Sequence, residues 1–500
     1  MVEATEDPTA GDSAPGEGEP LDQLVKRGLA WSFLNTASTR GINFLITVVL
    51  AHLVAPKDWG VYAVALVTMQ LLLSLNDVGI SSAIVRFPGD ISEVAATGMT
   101  LIFTASILLY GILFALAPVV ARVLNVPGAT GVLRLLAVSV LLDAAFAVQS
   151  AGLTREFKQQ FRAFSDMANL IVFSSVAIGL ALHGSGPWAL AWAQIAGTIA
   201  GGIVIWITSP VRVRPGFDPD VARGLIHFGL PLTGSAFLTF AMLNADYVVV
   251  GHVLGPVALG FYYLAFNISS WPVTTISFTV RRVSLAGFSR LQHDPGEMRA
   301  AFLRAAQMLS AVAFPICALL VSLAGSLVGF VYGDRWAASA APLRWLALLG
   351  AMRVVAELGY DYLVAAGRPR ATVVMQASWF VALVPALTIG AHLNGIAGVG
   401  AGHVVVAVGV VLPVMLWCLN RTGLAPIAVL RVLSGSVAVA AATGAAAYFA
   451  TKLVTNEFAR LAIGASSGAL VGLAIVGIAW RLGRHSPSAA PMPPVRPLDA

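Results

Sequence analysis

The sequence predicts an all-α polytopic membrane protein of about fourteen spanning helices, built as two six-helix lobes plus two C-terminal helices. Three observations carry this reading. The 500 residues are 58% hydrophobic and only 11% charged, whereas a soluble domain carries about 25% charged residues. Apolar runs of the length a bilayer requires, roughly 20 residues each, recur between residues 29 and 481. A sixteen-residue stretch returns, altered but recognisable, two hundred residues downstream.

The chain opens with "MVEATEDPTAGDSAPGEGEP", which carries acids, Gly and Pro but no Lys or Arg. Residues 1–23 bury too little apolar surface to fold, so a disordered acidic tail is expected. The stretch lacks the basic region, apolar stretch and small-residue cleavage site of a signal peptide. The spans then fall at 29–53, 60–85, 95–120, 130–153, 165–183 and 187–208, giving a first lobe over 24–208. A linker follows at 209–228. Spans at 229–253, 260–280, 304–330, 341–365, 371–392 and 396–418 give a second lobe over 229–420. Two extra spans, 432–451 and 459–480, occupy 421–481, and 482–500 reads as a second disordered tail. Cys317 and Cys418 lie inside apolar runs and read as small core residues, not a disulfide framework.

Basic residues set the orientation. With the N-terminus in the cytoplasm, 21 of the 30 Lys and Arg fall on the cytoplasmic side and seven on the other. Arg40 and Arg353 lie within spans. Both termini are therefore expected in the cytoplasm, and the inter-lobe linker with them. The net charge of +6 sits in short loops between spans, which excludes a nucleic-acid surface as its meaning. Loops such as Arg155–Lys158–Arg162 suit anionic lipid headgroups and also satisfy the positive-inside bias alone.

The repeat pairs "AHLVAPKDWGVYAVAL" at 51–66 with "GHVLGPVALGFYYLAF" at 251–266. His52, Pro56, Gly60, Tyr62 and Ala65 fall opposite His252, Pro256, Gly260, Tyr262 and Ala265. "RGL" also opens both copies, at 27–29 and 223–225, with a four-residue slip. An even number of spans separates the copies, so both enter the membrane in the same direction. That is a parallel repeat about an axis along the membrane normal. Pro suits the first turn of a helix and Gly a tight turn. The repeated residues therefore read as structural, not as a site.

Ordered motifs resemble one family. "GLAWSFLNTASTRGINFLITVVLAHLVAPKDWGVYAVAL" and "LLLSLNDVGISSAIVRF" resemble the opening helices of polysaccharide-biosynthesis flippases. These are the Wzx-type members of the multidrug/oligosaccharidyl-lipid/polysaccharide exporter superfamily. "LNADYVVVGHVLGPVALGFYYLAFNI" resembles their seventh and eighth helices; "LAGFSRLQHD", "VYGDRWAASAAPLRWLALLGAMRVV" and "AAGRPR" resemble later segments. The resemblance covers about residues 24 to 425. It implies a V-shaped pair of lobes around a cavity, as in the related multidrug exporters. It implies as substrate an oligosaccharide on a polyprenyl pyrophosphate carrier, moved from the inner to the outer leaflet of a bacterial plasma membrane. Membrane lipids, a polysaccharide polymerase and other export machinery are the partners it implies. No cofactor is implied.

An ionised group at the bilayer centre costs about 2.5–3.5 kcal/mol on insertion scales and usually faces a bundle interior or a wet cavity. Arg40 lies in the polar run "NTASTR" of span 1, with Asn35, Thr36, Thr39 and Asn43 at helical spacing. A guanidinium matches phosphate oxygens, so Arg40, Asn35 and Asn43 are candidates for the pyrophosphate headgroup. An ion pair that only locks helices is the competing reading. Arg353, Glu357 and Asp361 stack at i, i+4, i+8. They form either a cavity-lining Arg tuned by acids or a self-neutralising pair. Asp246, beside Asn244 and Tyr247, is a candidate proton or sodium site, or a partner for Arg40 across the lobes. Asp77 in "LNDVGIS" suits a gate or helix break, as does Asp143. His403 is a candidate intramembrane polar contact, and the eight histidines form no metal-ligand spacing.

Three function classes remain to be weighed. A lipid-linked oligosaccharide flippase fits cationic groups in both lobes. A cation-coupled drug exporter of the same superfamily requires an acid-dominated cavity. A membrane glycosyltransferase, polymerase or ligase requires catalytic carboxylates or large outer loops, and the outer loops here are short.

Overall fold

The computed structural model describes residues 41–76, 80, 91–156, 158–211 and 214–484. Residues 1–23 lie outside these, and of the predicted tail at 482–500 only 482–484 are described, as the end of a helix. Among the described residues the chain is helical, without strands. In order, the helices are α1 (Gly41–Leu53), α2 (Pro56–Asn76), α3 (Ile91–Val123), α4 (Ala129–Arg155), α5 (Gln159–Leu182) and α6 (Pro187–Thr208). Then come α7 (Pro219–Arg290), α8 (Pro295–Tyr332), α9 (Ala340–Ala365), α10 (Pro369–Val406), α11 (Leu412–Asn420), α12 (Pro426–Lys452) and α13 (Glu457–Arg484).

Proline places many of these starts. Pro56, Pro187, Pro219, Pro295, Pro369 and Pro426 each begin a helix, where a missing N–H costs nothing. Asp218 and Asp294 cap α7 and α8 by accepting backbone N–H bonds from the first turn. Proline inside a helix removes a ladder bond. A π turn at Ala407–Val411 precedes Pro413 and accommodates that loss.

Eleven helical stretches among the described residues are long and apolar enough to cross a membrane. The predicted fourteen count two continuous helical runs as two spans each and include span 1, which is described only in part. The α7 run continues through Gly255, whose φ of 80° breaks the helix without a loop. The run from α10 to α11 breaks in the same way at Asn394 and Gly395. Both breaks fall where the sequence predicts a boundary, at 253–260 and 392–396. Each run therefore holds two predicted spans, and only Gly41–Leu53 of span 1 is described.

Packing divides the molecule by depth. One hydrophobic core draws on both halves: Leu50, Trp59, Tyr62 and Leu133 from the first, Val250, Tyr262, Trp336 and Leu387 from the second. It lies at the end of the bundle that holds the repeated stretches. At the opposite end, among the described residues, there are two separate cores, the first of which the start of α7 joins through Leu225. Ile80, Ile102 and Val148 belong to one, and Phe302, Tyr362 and Leu419 to the other. Among the described residues the bundle is thus joined by a common core at one end and has separate cores at the other.

The C-terminal pair, α12 and α13, packs on α8. Gly464, Gly468 and Gly472 form a small-residue seam on α13. Side chains added there would meet Leu323, Leu319 and Thr443. Large apolar side chains such as Val381, Leu393 and Leu470 stand exposed around the outside, as a surface in contact with hydrocarbon requires.

Candidate functional site

The sealed end is a reciprocal interface. Gly60 lies against the backbone carbonyl of Pro256, and Gly260 lies against that of Pro56, so close that neither position has room for a Cβ. The indole Nε1 of Trp336 donates to the carbonyl of Ala51 at 2.8 Å, and the Arg335 guanidinium donates to the same oxygen. The other half answers in kind. Asn125 donates from Nδ2 to the His252 carbonyl at 2.8 Å, and the His252 ring contacts the Val123 carbonyl. Each half thus uses the loop after its third span to hold the end of the other half's first span. Trp59 lies edge-on to Trp336 at 6.1 Å, and Phe261 does so at 5.9 Å. The repeat, which reads as purely structural in the sequence, is where the halves meet.

Below this seam lies a buried acid. Asp246 is only 1% exposed. Its Oδ1 accepts the Tyr247 N–H at 2.9 Å, and its Oδ2 accepts the Tyr262 hydroxyl at 2.9 Å. His403 Nε2 stands 3.5 Å from Oδ2. Neither ring nitrogen of His403 has a hydrogen-bond partner, so this contact is electrostatic and full only when the ring is protonated. A carboxylate taken out of water needs such partners. Tyr262, one of the five repeated residues, therefore ties the acid directly to the seam.

A cavity of about 410 Å³ opens beside this cluster. Among the described residues its wall comes from the second half. Thr239, Met242, Leu243 and Phe266 lie on α7; Leu349, Arg353, Ala356, Glu357 and Tyr360 on α9; Met375, Gln376, Trp379, Leu383 and His403 on α10. Arg353 Nη2 is 3.9 Å from Glu357 Oε1. Glu357 Oε2 and Gln376 Oε1 are buried without a hydrogen-bond partner.

The predicted site residues are distributed unevenly. Arg353 and Glu357 line the cavity together, as their spacing requires. Asp361, two turns beyond Arg353, is 2% exposed and stands outside the cavity wall. Asn43 is exposed on α1 and also lies outside this wall. Arg40, Asn35 and Asp77 lie outside the described residues. Asp143 accepts a hydrogen bond from Asn76 Nδ2 at 3.4 Å, in a network that Ser106 joins through Asn76. Gln376 and Trp379 are missing from the sequence-based site. Gln376 is a lone polar residue in the apolar run "VVMQASWF", and that is the signal it offers.

Comparison with known proteins places these features in context. Residues 49–341 match the family model described as "Polysaccharide biosynthesis protein". The lipopolysaccharide biosynthesis protein WzxC of Escherichia coli (strain K12) is 24% identical over 78% of this chain and 79% of its own length. The teichuronic acid biosynthesis protein TuaB of Bacillus subtilis (strain 168) is 24% identical over 70% of this chain and 72% of its own. Among solved structures, the lipid II flippase MurJ in an inward closed conformation superposes with a TM-score of 0.74 at 14% identity. It covers 91% of this chain and 100% of that one. An inward-facing MATE-family transporter of the MOP superfamily superposes at 0.60 with 16% identity, covering 76% and 94%. The fold is that of this superfamily.

Proposed function

The chain belongs to the polysaccharide biosynthesis protein family, and on that premise we propose that it flips a polyprenyl-pyrophosphate-linked oligosaccharide from the cytoplasmic to the outer leaflet by alternating access. The observation that carries this reading is the division of the core. Among the described residues the halves share one core at the repeat and have separate cores at the other end. With the termini in the cytoplasm of a bacterium, the sealed end faces outward and the divided end faces the leaflet where the cargo is made. Rocking the lobes breaks the Gly60–Pro256 and Ala51–Trp336 contacts and exposes the cavity to the outside. Shared cargo contacts with only one state shift that equilibrium.

Three residue roles belong to the proposal. Arg40, in the polar run of span 1, holds the pyrophosphate, helped by Asn35 and Asn43; Arg353 supplies a second cationic group to the transport cavity. Arg40→Ala then abolishes export while Arg40→Lys retains part of it, and normal export by a correctly inserted Arg40→Ala protein removes Arg40 from this role. Asp246 is the coupling site. Binding a cation there weakens its hold on Tyr262, and Tyr262 belongs to the helix end that closes the seam. Asp77 and Asp361, nearer the cytoplasmic ends of their spans, are gating candidates, and so is Glu357 of the cavity wall.

The test is mass spectrometry of polyprenyl-linked glycans in cells lacking the protein, beside an assay of surface polysaccharide. Accumulated lipid-linked oligosaccharide with lost surface glycan supports the flippase. An unchanged pool and surface overturns it in favour of a cation-coupled exporter of small molecules, a reading to which the buried Asp246 is also suited.

A further inference from the structure

The cavity of the second half has a polar inventory of a particular kind. Among the described residues Arg353 is its one fixed cation, and Glu357 stands 3.9 Å away, so the two charges largely cancel. What the wall offers beyond them are unpartnered buried acceptors: Glu357 Oε2 and Gln376 Oε1. His403 adds ring nitrogens without hydrogen bonds, on a side chain more than nine-tenths buried. Trp379 supplies a flat apolar wall.

Buried acceptors without partners are costly unless a ligand brings donors. A pyrophosphate brings none: it is an acceptor with at least two negative charges, and Glu357 repels it. A sugar ring brings hydroxyl groups, each a donor as well as an acceptor, and an apolar C–H face that covers an aromatic ring. Ligand pockets run from about 300 Å³ upward, and 410 Å³ falls in that range. We infer that this cavity is a glycan subsite: Gln376 and Glu357 accept hydroxyl donors of a sugar ring stacked on Trp379, and the diphosphate sits elsewhere. The inference rests on the flippase reading. It divides the cargo between two places, with the sugar in the second half and the charged headgroup left to Arg40 in the polar run of span 1.

The experiment uses the full chain in lipid nanodiscs and two probes. One is the polyprenyl-linked glycan extracted from cells lacking the protein; the other is the same polyprenyl pyrophosphate without sugar. Gln376→Leu should weaken binding of the glycan-linked probe about tenfold, the scale of one hydrogen bond to a buried group, and leave the sugar-free probe unchanged. Glu357→Gln, which keeps one acceptor oxygen and replaces the other by a donor, should weaken the glycan-linked probe less than Gln376→Leu does and leave the sugar-free probe unchanged. Gln376→Glu, which keeps an acceptor at that place, should restore glycan binding and so separates a lost contact from a misfolded protein. Equal weakening of both probes by Gln376→Leu, or tighter binding of the sugar-free probe by Glu357→Gln, makes the cavity a diphosphate site and overturns the inference. Wild-type affinity in Gln376→Leu and Glu357→Gln for both probes also overturns it. A wild-type protein that binds neither probe overturns the flippase reading beneath it.

Discussion

Gly60 and Pro256 meet backbone to backbone across the two halves, and Gly260 and Pro56 repeat the meeting from the other side. The four residues come from the two copies of one sequence motif. An interface made of one patch facing its own copy has this reciprocal form. The Gly60–Pro256 contact therefore explains why the motif occurs twice, and the first prediction follows from it.

A Cβ at either glycine has no room while the seam is closed. Gly60→Ala and Gly260→Ala should each cost the sealed state about 1–3 kcal/mol, as overpacking does, and by symmetry should act alike. Labelling of an Ala258→Cys thiol by a membrane-impermeant maleimide, applied from the outer face, should rise in both variants. Unchanged labelling would show that the seam opens and closes independently of these contacts.

Trp336 holds Ala51 through one indole N–H at 2.8 Å and packs edge-on against Trp59 and Phe261. Trp336→Phe keeps most of the ring and loses the donor. It should weaken the sealed state by about 1 kcal/mol. Trp336→Ala should cost about 3–5 kcal/mol. Thermal unfolding in detergent, with the same thiol-labelling readout, measures both. Equal effects would place the whole contribution of Trp336 in its packing.

Asp246 is held by Tyr262, Tyr247 and His403. Asp246→Asn keeps the shape and removes the charge. Transport into proteoliposomes should lose its dependence on a proton or sodium gradient in this variant. Tyr262→Phe should keep that dependence and shift its midpoint, because the carboxylate survives but loses a donor. Gradient dependence surviving intact in Asp246→Asn clears this acid of the coupling role.

The seam of Gly464, Gly468 and Gly472 binds the C-terminal pair to α8. Gly468→Ile places a branched side chain against Leu319. It should lower thermal stability and raise proteolysis between α12 and α13, near Thr455, without touching the Asp246 cluster. Unaltered stability would mean that the pair docks through other contacts.

Much of the fold was legible in the sequence, and for a physical reason. A bilayer demands apolar runs of fixed length and rewards basic residues on one side. Those demands act on each span locally, so "AHLVAPKDWGVYAVAL" and its later counterpart could be aligned by eye. The i, i+4 spacing likewise joined Arg353 to Glu357, since both lie on one helix. The same rule failed for Asp361, because a helix face curves away over two turns and the packing around Tyr362 encloses that end.

The sequence by itself determined the all-helical membrane class, the repeated motif and the list of charges within apolar runs. Tertiary structure alone decided what those residues touch. His403 and Asp246 are 157 positions apart, yet their side chains stand 3.5 Å from each other. Gln376 joins a cavity with Glu357 only because α9 and α10 pack together. Gly60 and Gly260 proved to be an interface because two helix ends cross there. Membrane insertion is a property of each segment, and so composition records it. Contact between segments depends on how helices pack, and no local pattern in the chain records that.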